Sequence, residues 1–528
     1  MKINKQNHNI NKKAYIIGGG IASLASAAYL IRDGHIPGKD ITIIEESDKL
    51  GGSLDGKGSP ETGYFTRGYR MFEDKAYLCA YDLLSFIPSL ADSNISVKEE
   101  FFNFNKIHPV YSKLRLIGSS KKSGLSWKDK FNLIKIMARS ESSLGTSRIQ
   151  DNFSPLFFKS DNWLEFCTTF AFQPWHSAAE MRRYFLRFMQ DSPFLGTLSC
   201  IRNAPYNQYE SIILPISNWL AKQGVRFEMN SRAANLDFKQ SDTQIAVECI
   251  RYIYDGKERK IAIDKNDLVF ANLGSMTAAS AMGSSISAPR LEPAKLSSAW
   301  VFWENIAKKY LKFGSPSVFN SHQNESTMES FTATFRDPAF FKLVEKMTGN
   351  QAGSGGYITL KDSNWLLSVV LPQQPHFINQ PDNAYVCWGY GLFSNEKGNF
   401  TPKKMSECTG EEILAELCRH LGFKKEIPSI LKTSNCIPCL MPYITSQFLP
   451  RKKEDRPPVA PEGLSNMAFI GQFCEIPNET SFTVEYSVRS AQLAVISLLK
   501  LNKKETPIYK GQYNLKVLYS TLKTILFA

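Results

Sequence analysis

The chain has 528 residues, 43% of them hydrophobic and 21% charged, and a formal net charge of +13. Its length exceeds one small core and points to two or three domains, and its balance excludes a disordered or fibrous chain. No apolar run reaches the length of a membrane span, and of ten scattered cysteines only Cys436 and Cys439 lie close together, with no partner ligands for a metal or redox site.

Residues 1 to about 12 are polar, rich in Asn and Lys, and expected to be a disordered start. Lys2, Lys5, Lys12 and Lys13 ahead of an apolar run could be misread as a secretory signal. Cleavage there would destroy a glycine fingerprint, so reduced thiols and a cytoplasmic location are the simpler expectation. The fingerprint is Ala14-Tyr-Ile-Ile-Gly18-Gly-Gly20-Ile-Ala-Ser23, followed by Ile41-Thr-Ile-Ile-Glu45-Glu46. It reads as strand, glycine turn, helix, strand and acidic end, the first unit of a dinucleotide-binding fold. Gly18 allows the tight turn, Gly20 lets backbone approach a pyrophosphate, and small Ser23 lets helix and strand pack closely. The helix N-terminus faces the phosphates with its partial positive charge. Glu45 stands where a carboxylate accepts from ribose hydroxyls. The alternative is a tight turn without a ligand.

A glycine-rich loop follows at 49–56, then a helix near 75–90. Residues 127–137 have an amphipathic helical pattern. Residues 162–189 are aromatic and helical in pattern and carry Arg182, Arg183 and Arg187. From Glu210 a helix runs to a stop at Gly224 and a strand. Strands are expected at 246–253 and 260–263. A buried strand near 268–273 then delivers Gly274, a second contact surface for the dinucleotide. Residues 291–460 mix helices and strands and read as substrate-facing material. Residues 451–461 read as a charged, proline-rich linker. A strand at 467–470 delivers Gly471, and a helix follows near 486–499. In the tail, Leu518, Leu522, Ile525 and Leu526 share one helical face among lysines. Such a helix suits an anionic membrane surface or docking on its own protein. The tail favours membrane over nucleic acid as the reason for the positive charge.

The fold class expected is α/β. A discontinuous Rossmann-like FAD-binding domain comprises 13–90, 205–290 and 461–500. A mixed α+β substrate-binding and lid region comprises 91–204 and 291–460, and 501–528 form a basic amphipathic tail. A nicotinamide dehydrogenase usually keeps its cofactor domain contiguous. Dispersal with a late glycine contact favours a flavin, with FAD as the long cofactor.

The chain resembles the oleate hydratases, also called the myosin-cross-reactive antigen family. The resemblance runs through nearly the whole sequence, including Gly51-Gly-Ser-Leu-Asp-Gly56, Phe170-Ala-Phe-Gln-Pro-Trp175, Met181-Arg-Arg-Tyr184, Tyr206-Asn-Gln-Tyr-Glu-Ser211, Lys361-Asp-Ser-Asn-Trp365 and Met441-Pro-Tyr-Ile-Thr445. It implies a homodimer that binds FAD and adds water to the cis-9 double bond of a long-chain unsaturated fatty acid, giving a 10-hydroxy acid with no net redox change. It implies cofactor contacts from Gly18, Gly20, Ser23, Glu45, Glu46, Gly52, Ser53, Arg70, Gly274, Gly471 and Phe482. Tyr184 would protonate the alkene, and Thr433 with Asn435 would seat the carboxylate. Read by themselves, Tyr184 is more readily a packed core aromatic, and Thr433 and Asn435 could equally be an ordinary loop.

One stretch departs from the family. Arg-Gly-Gly-Arg-Glu-Met-Glu is replaced by Arg67-Gly-Tyr-Arg-Met-Phe-Glu73. The water-activating Glu falls on Met71, and a thioether takes no proton at neutral pH. Glu73 is the nearby carboxylate, and either a re-routed loop gives it the role or it caps the following helix. Weakened hydration is therefore expected. The alternatives are a flavin-dependent double-bond isomerase or oxidoreductase, and a non-catalytic FAD and fatty-acid binding protein.

Overall fold

A computed structural model describes residues 12–119, 124–242, 244–292 and 297–527, so the expected disordered start lies almost entirely outside the described residues. Five short strands, all apolar except the edge strand Arg226–Glu228, form an all-parallel sheet in the order Met467–Ile470, Leu268–Asn272, Ala14–Ile17, Ile41–Ile44 and Arg226–Glu228. Both faces of the central strands are covered, and Ala14–Ile17 and Ile41–Ile44 are buried throughout, as parallel strands require. Helix Ile21–Arg32 packs there against helix Val484–Leu499. The strand order reverses at Ala14–Ile17, which opens a crevice at the carboxyl ends of the strands. An antiparallel meander of Ser231–Gln240, Ile245–Tyr254 and Lys257–Ala262 carries helix Ser298–Ala307.

A second sheet has seven strands in the order Ala281–Met282, Ser434–Met441, Met328–Phe335, Tyr385–Gly391, Leu367–Val370, Ile358–Leu360 and Leu116–Ile117. All its pairs are antiparallel except the last. The hairpin Gly56–Ser59 and Gly63–Thr66 lies on it, with the Tyr64 and Thr66 amides donating to the hydroxyls of Thr334 and Thr332 at 2.9 and 3.2 Å.

Two expectations change. The helical stretch 162–189 is two helices, Asp161–Phe170 and Ala178–Arg187, separated where Ala171 turns left-handed at φ +61°. The linker at 451–461 is anchored instead, because Arg451 and Arg456 are drawn into buried ion pairs. The tail forms helix Leu515–Phe527, which docks on Met189–Phe194. The Thr521 hydroxyl donates to the Met189 carbonyl at 2.9 Å, Lys130 Nζ donates to the Leu526 carbonyl at 2.8 Å, and Ile525 is buried. Among the described residues no helix is long and apolar enough to cross a membrane.

Glu329, in the middle of the second sheet, is fully buried, and neither carboxylate oxygen has a hydrogen-bond partner among the described residues. Burial alone pushes its pKa well above the usual range. The folded state therefore holds a proton that the unfolded chain releases near pH 4.3. Stability is greatest below that pH and falls by about 1.4 kcal/mol per pH unit above it, until the folded pKa is reached. Glu329→Gln should remove this slope, so urea unfolding at pH 4.5 and 7.5 should show the variant gaining on wild type at the higher pH.

Candidate active site

A cleft of about 600 Å³ runs along the carboxyl edge of the parallel sheet. Gly18, Gly52, Ser53 and Gly274 line it, and Ser23 is fully buried beneath, where the helix crosses the strand. Gly20 is the N-cap of helix Ile21–Arg32 and offers no side-chain capping bond. A Cβ at Gly20 would meet nothing nearer than Asn272 Nδ2 at 3.8 Å, so this backbone faces open cleft. At Gly471 the approach is much closer, since a Cβ there would lie 2.1 Å from Asn272 Oδ1. Glycine backbone, a helix N-terminus and the neighbouring acids Glu45 and Glu46 fit an extended dinucleotide such as FAD.

The acids have further tasks. Glu45 accepts from the Gly19 amide at 2.5 Å, and its other oxygen accepts from the Ser47 amide and hydroxyl at 2.8 and 2.6 Å. Glu46 accepts from the Ser298 hydroxyl. The sequence reading missed Asn272. Its side chain stands where the turns at Gly18, Gly20 and Gly471 converge, and it donates no hydrogen bond to any described residue. An amide at the end of a strand that delivers a glycine turn was the available signal.

An apolar cavity of about 220 Å³ is walled by Phe166, Phe170, Tyr184, Phe185, Phe188 and Ile525, among others. Tyr184 is buried, and its hydroxyl donates to the Ser481 carbonyl. Its ring meets Phe170 and Phe172 edge-on at 4.9 and 5.0 Å. Burial, reinforced by Tyr77, Glu180 and Glu479, raises its pKa well above the usual phenol value, so it keeps its proton. Phe482 follows Ser481 with a left-handed backbone at φ +71°. The Arg70 guanidinium lies 5.3 Å above the Phe482 ring and has no ion pair or hydrogen bond among the described residues. Burial lowers its pKa against the opposing influence of Tyr357, Tyr77 and Tyr184. It is a cation in want of a negative partner.

Strand Met71–Glu73 pairs with Ile201–Asn203, which fixes its register. Met71 packs against the aromatic cluster that contains Tyr184. Glu73 is buried, and one oxygen accepts from the amides of Lys75, at 2.7 Å, and Ala76, so it caps the turn. It does not line the Tyr184 cavity. Burial raises the Glu73 pKa, and burial together with Glu73 pushes Asp191 up to about 8. Thr433 ends helix Ile427–Thr433, and its hydroxyl donates to the Ser429 carbonyl at 3.2 Å. Asn435 lies in the next strand and donates to the Thr62 carbonyl at 3.1 Å. The two are thus not on one face of a strand, and neither lines the Tyr184 cavity.

Helix Ala178–Arg187 is held by buried charges. Arg451 and Arg456 approach Glu180 at 2.9 and 3.3 Å, Arg183 approaches Glu475 at 2.6 Å, and Arg187 approaches Glu479 at 2.9 Å. Arg489 joins Glu479 to Glu485 at 2.9 and 2.6 Å. Burial would raise the Glu180 pKa, but Arg456, Arg451 and Arg183 hold it down at about 2.

These features define a Rossmann-like α/β protein with a glycine-lined cleft and a separate apolar cavity. An oxidoreductase from Methanosarcina mazei shares the fold at a TM-score of 0.51, with 14% identity over 93% of this chain and 100% of that one. Cyclohexylamine oxidase from Brevibacterium oxydans IH-35A does so at 0.51 and 12%, over 93% and 99%. The chain belongs to the MCRA family, whose profile matches residues 11–496. It is 38% identical to an oleate hydratase of Streptococcus pyogenes serotype M49 (strain NZ131), over 96% of this chain and 88% of the relative. It is 30% identical to a linoleate hydratase of Lactiplantibacillus plantarum, over 95% and 96%.

Glu479→Gln should leave Arg187 and Arg489 buried with one counter-charge fewer. Removing one partner of a buried pair costs about 3–5 kcal/mol, a loss that chemical denaturation will read directly.

Proposed function

We propose that the chain is an FAD-binding fatty acid hydratase, a hydro-lyase that adds water to the cis-9 double bond of long-chain unsaturated fatty acids, with a weakened water-activating step. The observation that carries this is Tyr184, which walls an apolar cavity while its hydroxyl donates to the Ser481 carbonyl, next to Phe482, whose amide donates to Gln472 of the glycine-lined cleft. Relatives named oleate and linoleate hydratase support the substrate class.

Gly18, Gly20, Gly52, Ser53, Gly274 and Gly471 would seat the phosphates, with Glu45 and Glu46 toward the ribose. Arg70 and Phe482 would meet the ring system. The net reaction moves no electrons, so bound FAD would supply electrostatic stabilisation of positive charge. An alkene is a poor base and needs a positioned acid. Tyr184 would give its proton to one alkene carbon while a water oxygen bonds to the other, and the proton that this oxygen then sheds would return through solvent to the Tyr184 oxygen. Met71 cannot take that proton. Glu73 remains a cap, and Thr433 and Asn435 enter only through the resemblance. Met71 also favours a second reading, double-bond isomerisation, in which protonation and deprotonation need no water. The lysine-rich tail and the resemblance support a cytoplasmic homodimer that touches anionic membranes peripherally.

Gly20→Val should push a side chain into the phosphate space and weaken FAD binding by about tenfold or more, read by flavin fluorescence titration. Full retention of FAD affinity would remove the cofactor assignment.

Loss of a positioned base removes about 10²–10⁴-fold in rate, so hydration of oleate by the wild type should be weak. Met71→Glu should raise it, measured as hydroxy acid by mass spectrometry. Strong wild-type hydration that survives Glu73→Gln would point to another base.

A further inference from the structure

Helix Trp127–Ala138 presents three chemistries on three sides. Leu133 and Met137 line the apolar cavity that Tyr184 also walls. Trp127 and Phe131, one turn apart, are 73% and 68% exposed. Lys128, Asn132, Lys135 and Arg139 recur at helical spacing and form one wall of a separate polar cleft of about 480 Å³, opposite residues 151–155. Asp151 is the one acid lining that cleft, and it accepts from the Arg148 amide at 2.8 Å. Asp129 is turned inward and is held by Ser126 and Ser154. Arg139 leans on Ser143, which leaves Lys128 and Lys135 as the freer cations. Lys130 ties this helix to the terminal helix through the Leu526 carbonyl.

A soluble anion would account for the lysines but not for two exposed aromatics. A neutral apolar partner would account for the aromatics but not for the cations. An anionic phospholipid leaflet offers both, since indole and phenyl rings settle at the level of the headgroups while lysines meet the phosphates.

We infer that the cleft of Lys128, Lys135 and Arg139 is a headgroup site for an anionic phospholipid, with Trp127 and Phe131 inserted beside it. The leaflet would then lie against the helix that lines the acyl cavity. This deepens the fatty-acid reading, and it rests on that reading for its purpose but not for its test.

The test uses full-length, FAD-loaded protein and co-sedimentation with vesicles of phosphatidylglycerol and phosphatidylcholine, or of phosphatidylcholine alone. Binding should require phosphatidylglycerol and fall as salt rises. The double variant Lys128→Gln/Lys135→Gln should lose about thirtyfold in partitioning. Trp127→Ser/Phe131→Ser should lose binding too, and brominated lipid should quench wild-type fluorescence more than that of Trp127→Phe. FAD titration and the thermal midpoint show that each variant is folded. Undiminished binding by both double variants overturns the inference, as does equal binding to phosphatidylcholine alone. So does a loss confined to Lys516→Gln/Lys523→Gln, which would leave the tail as the contact. A fall from two chains to one in Trp127→Ser/Phe131→Ser, read by light scattering, would assign this face to a second copy and also overturn it. Wild-type vesicle binding without hydroxy acid formation would leave the inference standing and defeat the proposed function.

Discussion

Glu479 stands between Arg187 and Arg489, with one oxygen on each at 2.9 Å. Through it the helix that carries Tyr184 is fixed to helix Val484–Leu499, which contributes Ser487 to the glycine-lined cleft. Glu180, Arg183 and Arg187 all belong to the Tyr184 helix, and their partners come from the loops at 451–456 and 475–479 and, for Arg183, also from Glu141. A dry ion network of this kind gains little net stability over well-packed apolar residues, because each charge loses its hydration. Its effect is on geometry. The charges are satisfied in one arrangement, and a shift of a single turn would bury several of them unpaired. The tyrosine is therefore placed by electrostatics from behind and by aromatic edges from the sides.

That rigidity gives the replacement at Met71 its meaning. Tyr69 and Met71 are two residues apart, and both pack into the aromatic cluster around Tyr184. The Tyr69 carbonyl accepts from the Tyr357 hydroxyl at 3.0 Å, and its ring lies 6.5 Å from that of Tyr357. Where the resemblance expects a small residue and a carboxylate, this chain has an aromatic ring and a thioether. The two changes act together to make that side of the aromatic cluster more apolar. Arg70 keeps an uncompensated charge nearby, which a negatively charged partner would relieve.

The parallel sheet was legible because its strands are short apolar runs, and three of them end in glycine turns that local chemistry alone explains. The helix over 127–138 and the terminal helix were legible from their 3.6-residue period. What escaped depended on partners distant in sequence. Arg451 and Arg456 look like linker charges until Glu180 and Glu475 are brought beside them. Glu73 could be read from the sequence as a base or as a cap, and its bonds to the amides of Lys75 and Ala76 are those of a cap. Asn272 has no local signature beyond its place at a strand end. Thr433 and Asn435 are close in sequence, yet a helix end separates their surroundings.

The strand at Ala14–Ile17 is flanked on one side by Ile41–Ile44 and on the other by Leu268–Asn272, with Met467–Ile470 beyond. During synthesis the first glycine turn leaves the ribosome early, but the residues that complete its crevice do not exist until Gly471 has been made. For most of translation one edge of an apolar strand stays open, and the nascent chain must be kept from pairing that edge with anything else. A ligand of that crevice cannot act as an early folding template. It can be captured only when nearly all of the polypeptide has emerged, so filling the crevice is a step of maturation that follows synthesis.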